Sequence, residues 1–196
     1  MDSKSRKQIE RIAIEEKIVD AAVVIILEEG IEKLSIRKIA ERIGYAVGTI
    51  YNYYKNKDDI LTSISTRVFQ EVMEEITTLL AKYPEQTPVE KLRACNRTFI
   101  RTMIKYPEKF KAVMMASRND PIPEEGEEEA GIDLLQALIN EGITEGCFTS
   151  ANQHSAELML IGLMGLVYHI VSTGLSGESA ERMAEQYIEM LIQALN

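Results

Sequence analysis

Residues able to handle phosphate are gathered in one stretch of this chain. Between positions 32 and 57 stand Lys33, Arg37, Lys38, Arg42, Lys55 and Lys57 against only Glu32 and Glu41, a local excess of four positive charges in a chain whose formal net charge is −9. Thr49, Tyr51, Tyr53 and Tyr54 add hydroxyls that can donate to phosphate oxygens, and Gly48 lets a partner approach the backbone; contacts of these kinds fix a protein's register on a duplex. Nothing equivalent exists for catalysis. His154, His169, Cys95, Cys147 and the paired carboxylates stand in no nucleophile, phosphate-loop or metal-ligand spacing, so no catalytic residue, metal or cofactor is assigned.

The elements that must position this basic stretch are two short helices and a turn. In SIRKIAERIGYAVGTIYNYYKNK, from Ser35 to Lys57, Ile36, Ile39, Ala40 and Ile43 recur at helical spacing. Gly44 supplies the freedom for a sharp turn, and a second run covers Val47 to Tyr54. Helices this short are marginal alone, but a helix-turn-helix needs its second helix only long enough to enter the major groove while the first braces it. A small amphipathic core with a solvated basic face is the alternative.

These residues carry a resemblance. AA at Ala21 and Ala22, LEEG ending at Gly30, SIRKIAERIG from Ser35, GTIYNYY from Gly48 and KNKDDIL from Lys55 resemble the DNA-binding domain of the TetR family of transcriptional regulators. The likeness runs from about Ile18 to Leu61. It implies an all-α homodimer: an N-terminal three-helix helix-turn-helix domain over 1–57 and a helical effector-binding and dimerisation domain over 58–196. It also implies that Arg37, Tyr45, Val47, Gly48, Thr49, Tyr51, Asn52, Tyr53 and Lys57 face DNA, with Tyr51, Tyr53 and Lys57 mainly on phosphates. One position departs from the family: the residue before the recognition helix, often Ser, is Ala46 here, and a missing capping acceptor costs a helix roughly 1 kcal/mol.

Composition admits this reading. With 196 residues and 45% hydrophobic content the chain can bury a core. A pI near 4.9 argues against nucleic acid until the charge is divided: the first 60 residues hold 11 basic and 11 acidic groups, so the whole net acidity falls beyond them. An acidic C-terminal domain repels phosphate and favours one docking orientation. No uncharged apolar run reaches 18 residues, the start has no apolar core of a signal peptide, and two lone cysteines suit a reducing compartment; a cytoplasmic protein with no membrane span is expected.

Along the chain, a helix is predicted from about Ser5 to Glu29, burying Ile9, Ile12, Ile18, Ala22, Ile25 and Ile26, with Lys4, Arg6 and Lys7 as either a phosphate-tracking arm or a solvated end. Glu28 and Glu29 sit at the negative end of its dipole, where carboxylates are unfavourable. Asn56 can cap a connecting helix that runs to about Lys82 through Ile60, Ile64, Phe69, Val72, Met73, Ile76 and Leu80. Pro88 opens the next, with Leu92, Cys95, Phe99 and Met103 inward and a stripe of Arg93, Arg97, Arg101 and Lys105 that is either solvated or turned to an anionic ligand. A helix from Pro107 to about Ser117 precedes an acidic segment, RNDPIPEEGEEEAG, which reads as an exposed loop.

Eight of nine methionines lie beyond residue 60, and Met is a flexible filler of irregular apolar cavities. Met73, Cys95, Phe99, Met103, Met114, Leu135, Met159 and Met164 are the candidates for a chamber that takes a small apolar effector. Plain core is the alternative for each. After a helix from about Glu127 to Glu145, the stretch AELMLIGLMGLVYHIVSTG is apolar on nearly all sides, with Gly162, Gly165, His169 and Ser172 on one face. Packed with a last helix from about Ala180 to Leu195 through Tyr187, Met190 and Leu191, it forms in TetR-like proteins the dimer interface. His169 is otherwise expected to be a hydrogen-bonded core histidine. The resulting expectation is a repressor that binds a pseudo-palindromic DNA operator as a homodimer and is released by its effector; the other reading makes the C-terminal domain a protein-interaction module.

Overall fold

A computed structural model of the chain describes residues 3–116 and 127–196, and all regular structure among the described residues is helical. The acidic segment beginning at Arg118, and any metal binding there, lies outside the described residues through position 126. Two compact units divide the chain: one runs to Val68 and includes the segment from Glu108, the other comprises Phe69–Pro107 and the C-terminal part through Asn196.

In the first unit, α1 (Ser3–Glu29) ends at Gly30, and a single 3-10 turn, Ile31–Lys33, leads into α2 (Ile36–Ile43). Ile18, Ala22, Ile25 and Ile26 are at most 1% exposed, whereas Ile9 and Ile12, expected on the same buried side, are 51% and 45% exposed. The helix outruns its buried stretch, which begins at Ile18, by about four turns, so Ile9 and Ile12 are left exposed. Ser35 caps α2 by accepting from the Lys38 amide, and Gly44 closes it in the left-handed conformation, its amide donating to Ala40 and Glu41 carbonyls. The recognition run is shorter than the sequence suggests: α3 spans Val47–Ile50, and residues 51–53 continue as a turn.

The two carboxylates at the unfavourable end of α1 have partners the sequence did not reveal. Glu29 accepts from Lys38 Nζ, and Glu28 accepts from Arg42 Nη2 at 2.5 Å, so both reach across to α2. These contacts hold the Glu29 carboxyl below its ordinary range through the Lys38 hydrogen bond, and the Arg42 guanidinium above its own through Glu28. Cations relieve the dipole penalty from the neighbouring helix instead of from α1 itself.

Asn56 Oδ1 accepts from the Asp59 amide at 2.9 Å, and the Asp59 carboxylate accepts from the Lys55 amide at 2.8 Å, which starts α4 (Lys57–Lys82). In the second unit, Thr87 and Glu90 form a capping box at the start of α5 (Pro88–Lys105). From Glu108 onward α6 (Pro107–Ala116) belongs to the first unit, with Phe110, Ala112 and Val113 buried. Then come α7 (Glu127–Thr144), α8 (Ser155–Thr173) and α9 (Gly177–Gln193). The arginine stripe of α5 is neither bare nor turned inward at its first two members. Arg93 pairs with Glu189 and Arg97 with Glu185, each through two nitrogens, fastening α5 to α9.

Candidate nucleic-acid interface and interior cavity

The core under the helix-turn-helix is made by Ile36, Ile39, Ala40 and Ile50, all buried, with Tyr54 at its edge. Burial pushes the Tyr54 phenol up, against a hydrogen bond with Ser63. Holding those residues down raises the opposite sides of α2 and α3. Arg37, Val47, Gly48, Tyr51 and Asn52 are exposed there, and Tyr45, Thr49, Tyr53 and Lys57 are half-buried. Tyr51 and Val47 expose 54% and 40% of their surface, a large apolar and aromatic outlay for a region with so little core.

Two of the six cations in this stretch are engaged with Glu28 and Glu29. Lys33, Arg37, Lys55 and Lys57 have no ion pair among the described residues, and they set the sign of the face. The Arg11 guanidinium stands 5.8 Å from the Tyr53 ring centroid while its Nε donates to Glu15, a contact with no signal in the local pattern. Of the proposed arm, Arg6 and Lys7 are exposed; the Lys4 side chain lies outside the description.

No side chain caps α3 at Ala46. Gly48 has no internal reason to be glycine: its backbone is ordinary helix, and a Cβ built on it would meet nothing within 4 Å. Glycine inside a helix costs roughly 0.5–1 kcal/mol relative to alanine, and no contact among the described residues offsets that cost here.

In the second unit an apolar cavity of about 30 Å³ lies among four helices. Phe69, Val72, Met73 and Ile76 face it from α4, Cys95, Asn96 and Phe99 from α5, Gly131, Leu134 and Leu135 from α7, and Leu160 and Leu163 from α8. Of the residues the sequence nominated for a chamber, Met73, Cys95, Phe99 and Leu135 come together here. Met103, Met159 and Met164 do not line it, and Met114 sits on α6 in the other unit. Met164 follows Leu163 by one residue, a rotation of about 100° along a helix of 3.6 residues per turn, and so points elsewhere. Burial pushes the Cys95 thiol up to about 12, leaving it an uncharged wall. Neither Arg97 nor Arg101 lines the cavity; Arg101 borders an open cleft with Glu74 and Glu75.

The proposed dimer residues divide. Gly162 is covered by Tyr187, whose Oη stands 2.4 Å from where a Cβ would be, while a Cβ at Gly165 would meet open space. His169 is exposed, which corrects its expected place in the core. Leu158, Ile161 and Tyr168, at helical spacing with Gly165, are 60%, 60% and 56% exposed, and Met190 on α9 is 53% exposed; Leu191 is half-buried. By length and composition α8 is the one described helix that could cross a membrane, but its opposite face, with Leu163, Val167 and Ile170, is packed inside the unit.

Residues 18–64, the segment that builds this cationic face, match the family model for bacterial regulatory proteins of the tetR family. Those residues are a TetR-family DNA-binding segment. The fatty acid metabolism regulator protein of Bacillus subtilis is 52% identical over 48 residues, 24% of this chain and 25% of that one. The transcriptional repressor KstR of Mycolicibacterium smegmatis is 27% identical over 143 residues, 73% and 69% of the two chains. Thus the match spans only a quarter of the first of these relatives. Solved TetR-like structures extend the likeness in fold: FadR from Bacillus subtilis in complex with stearoyl-CoA superposes with a TM-score of 0.71 at 22% identity, covering 92% of this chain and 99% of that one. FadR from Bacillus halodurans gives 0.75 at 22%, covering 93% and 96%. The family is one of transcriptional regulators, and its helix-turn-helix and helical C-terminal part are both present here.

Proposed function

We propose that this TetR-family regulator is a cytoplasmic repressor that binds a pseudo-palindromic operator as a homodimer and is released by a small, mainly apolar effector. The observation that most supports DNA contact is Gly48, a helical glycine without internal cause, on a face where Arg37, Lys55 and Lys57 carry no ion pair among the described residues. Val47, Gly48, Thr49 and Tyr45 would approach base edges and sugars, while Arg37, Tyr51, Asn52, Tyr53 and Lys57 would hold phosphates. Two such faces require two copies, and the strip Leu158, Ile161, Gly165 and Tyr168 is an exposed, mainly apolar surface that the same strip of a second chain would cover.

The effector reading rests on the apolar cavity. FadR from Bacillus subtilis is described in complex with stearoyl-CoA, and that from Thermus thermophilus in complex with lauroyl-CoA; an acyl chain is the ligand class we carry over to this cavity. A space of about 30 Å³ takes little more than one water. Ligand sites hold on the order of several hundred cubic ångströms, so an acyl chain must spread the four helices to enter. One of the four walls is α4, the same helix that begins at Lys57 behind the recognition turn. Spreading it is how occupancy would reach the DNA-binding face. By reciprocity, operator must weaken effector binding by the factor that effector weakens operator binding, typically about 5–150-fold.

The test is release of a labelled operator by stearoyl-CoA, read by fluorescence anisotropy across a salt series. Lys57→Ala should weaken all duplexes alike and reduce the salt slope by roughly one unit, the signature of one lost phosphate contact. Base preference that changes while the slope stays would remove Lys57 from the phosphate role. Gly165→Arg should yield monomers in sedimentation at micromolar concentration; a parent chain that is itself monomeric would sink the dimer.

A further inference from the structure

The cavity contains one polar side chain among hydrocarbon and sulfur. Asn96 on α5 is 1% exposed, its Nδ2 donates to the Met159 sulfur at 3.4 Å, and its Oδ1 has no hydrogen-bond partner. A thioether sulfur can only accept, so the amide is oriented by Met159: the nitrogen faces the sulfur and the oxygen faces away from it. Leaving a buried carbonyl unpaired is costly, and leucine or methionine of similar volume would fill the same place at no such cost. An acceptor kept in an otherwise apolar site is therefore an acceptor waiting for a donor.

Resting on the effector-site reading above, we infer that the cavity selects a hydroxylated acyl chain over a plain saturated one, the chain's hydroxyl donating to Asn96 Oδ1. Groups that only accept leave the Asn96 oxygen unpaired. A thioester or ketone carbonyl offers Oδ1 nothing, and a saturated chain leaves it as it is. Selection by such a group is strong because the wrong ligand still buries the unpaired oxygen, whereas an extra methylene alone discriminates weakly. Phe99, Leu135 and Leu163 supply apolar walls beside Asn96.

The experiment titrates the full-length chain with stearate and with a positional series of monohydroxystearates, reading the dissociation constant by calorimetry. At least one isomer should bind roughly tenfold or more tightly than stearate, as one satisfied buried acceptor requires. Asn96→Leu should keep stearate binding and erase the preference. If stearate binds the parent and no isomer in the series binds better, the inference is overturned. A preference that survives Asn96→Leu overturns it too, by placing the selecting group elsewhere. Binding of neither class to a parent chain that still takes stearoyl-CoA would overturn the inference alone, and a parent chain that takes none of the three would remove the effector-site reading with it. The parent comparison needs no variant, so a misfolded Asn96→Leu chain leaves the test decisive.

Discussion

Gly48 in the helix-turn-helix and Gly162 in the C-terminal helices are the same residue type in the same backbone conformation, yet their surroundings are opposite. A Cβ at Gly162 would lie 2.4 Å from Tyr187 Oη, and one at Gly48 would meet nothing within 4 Å. The first glycine is explained by what the chain packs against itself. The second has no such contact among the described residues. The contrast extends to charge: in the C-terminal unit Arg93 and Arg97 are each held by a glutamate of α9, while around the recognition turn four cations have no such partner among the described residues. One region has spent these polar and small residues on internal fit, and the other leaves them exposed.

Substitutions at internally required glycines should produce the largest effects. Gly142 is the tightest of them, since a Cβ there would stand 2.2 Å from two ring carbons of Phe148, itself 2% exposed. Gly142→Ala is expected to destabilise the chain by roughly 2–3 kcal/mol, the upper part of the range for overpacking a core. Denaturant unfolding with an unchanged midpoint would show that Phe148 can swing away freely. For Gly162→Ala the clash is mainly with one hydroxyl, the next ring carbon being 3.4 Å away. A loss of about 1–2 kcal/mol is expected, and adding Tyr187→Phe should recover at least half of it. No recovery would mean that something other than the phenol oxygen sets the spacing of α8 and α9.

The comparison predicts the opposite sign at the other glycine. Gly48→Ala should raise stability by about 0.5–1 kcal/mol, since it restores helix propensity with no clash. The same change should weaken operator binding by about tenfold, or 1.4 kcal/mol. A variant both more stable and equally good at binding would leave Gly48 without any explanation and weaken the placement of α3 against DNA.

What the sequence could and could not reveal follows the same division. Local signals were legible: Ser35 and Gly44 bound α2, Asn56 and Asp59 start α4, and Thr87 with Glu90 starts α5. Contacts between helices were not, because no local pattern says which helix lies beside which. Glu28 and Glu29 looked misplaced on α1 until Arg42 and Lys38 were seen across from them, and His169 looked internal until α8 proved to be packed on one side only. The cavity shows a different failure. Methionine was used as the marker for adaptable space, and it led to Met103, Met114 and Met164, while helical phase would have chosen Leu160 and Leu163, three apart on the face that meets α5 and α7. Asn96 had no signal at all, since a buried asparagine and an exposed one read alike in a sequence. Tyr51 to Tyr53 read as helix because nothing local stops α3, yet they form a turn.

The smallest expected effect concerns the pairs that close α5 onto α9. Hydrogen bonds from Arg97 and Arg93, aided by their charge, hold the Glu185 and Glu189 carboxyls below the ordinary glutamate range. A carboxyl whose folded value is depressed stabilises the fold fully above its unfolded value, and that contribution fades as pH falls through the folded one. Acidification below the ordinary glutamate range should therefore loosen the α5 and α9 contact before the apolar core responds. Because both pairs are largely solvent-facing, the change is modest and salt-sensitive. An Arg93→Gln, Arg97→Gln double variant should melt slightly lower than the parent at neutral pH and converge with it at the acid end. Melting curves whose separation stayed constant across that range would show that the two arginines act through their aliphatic packing on α9.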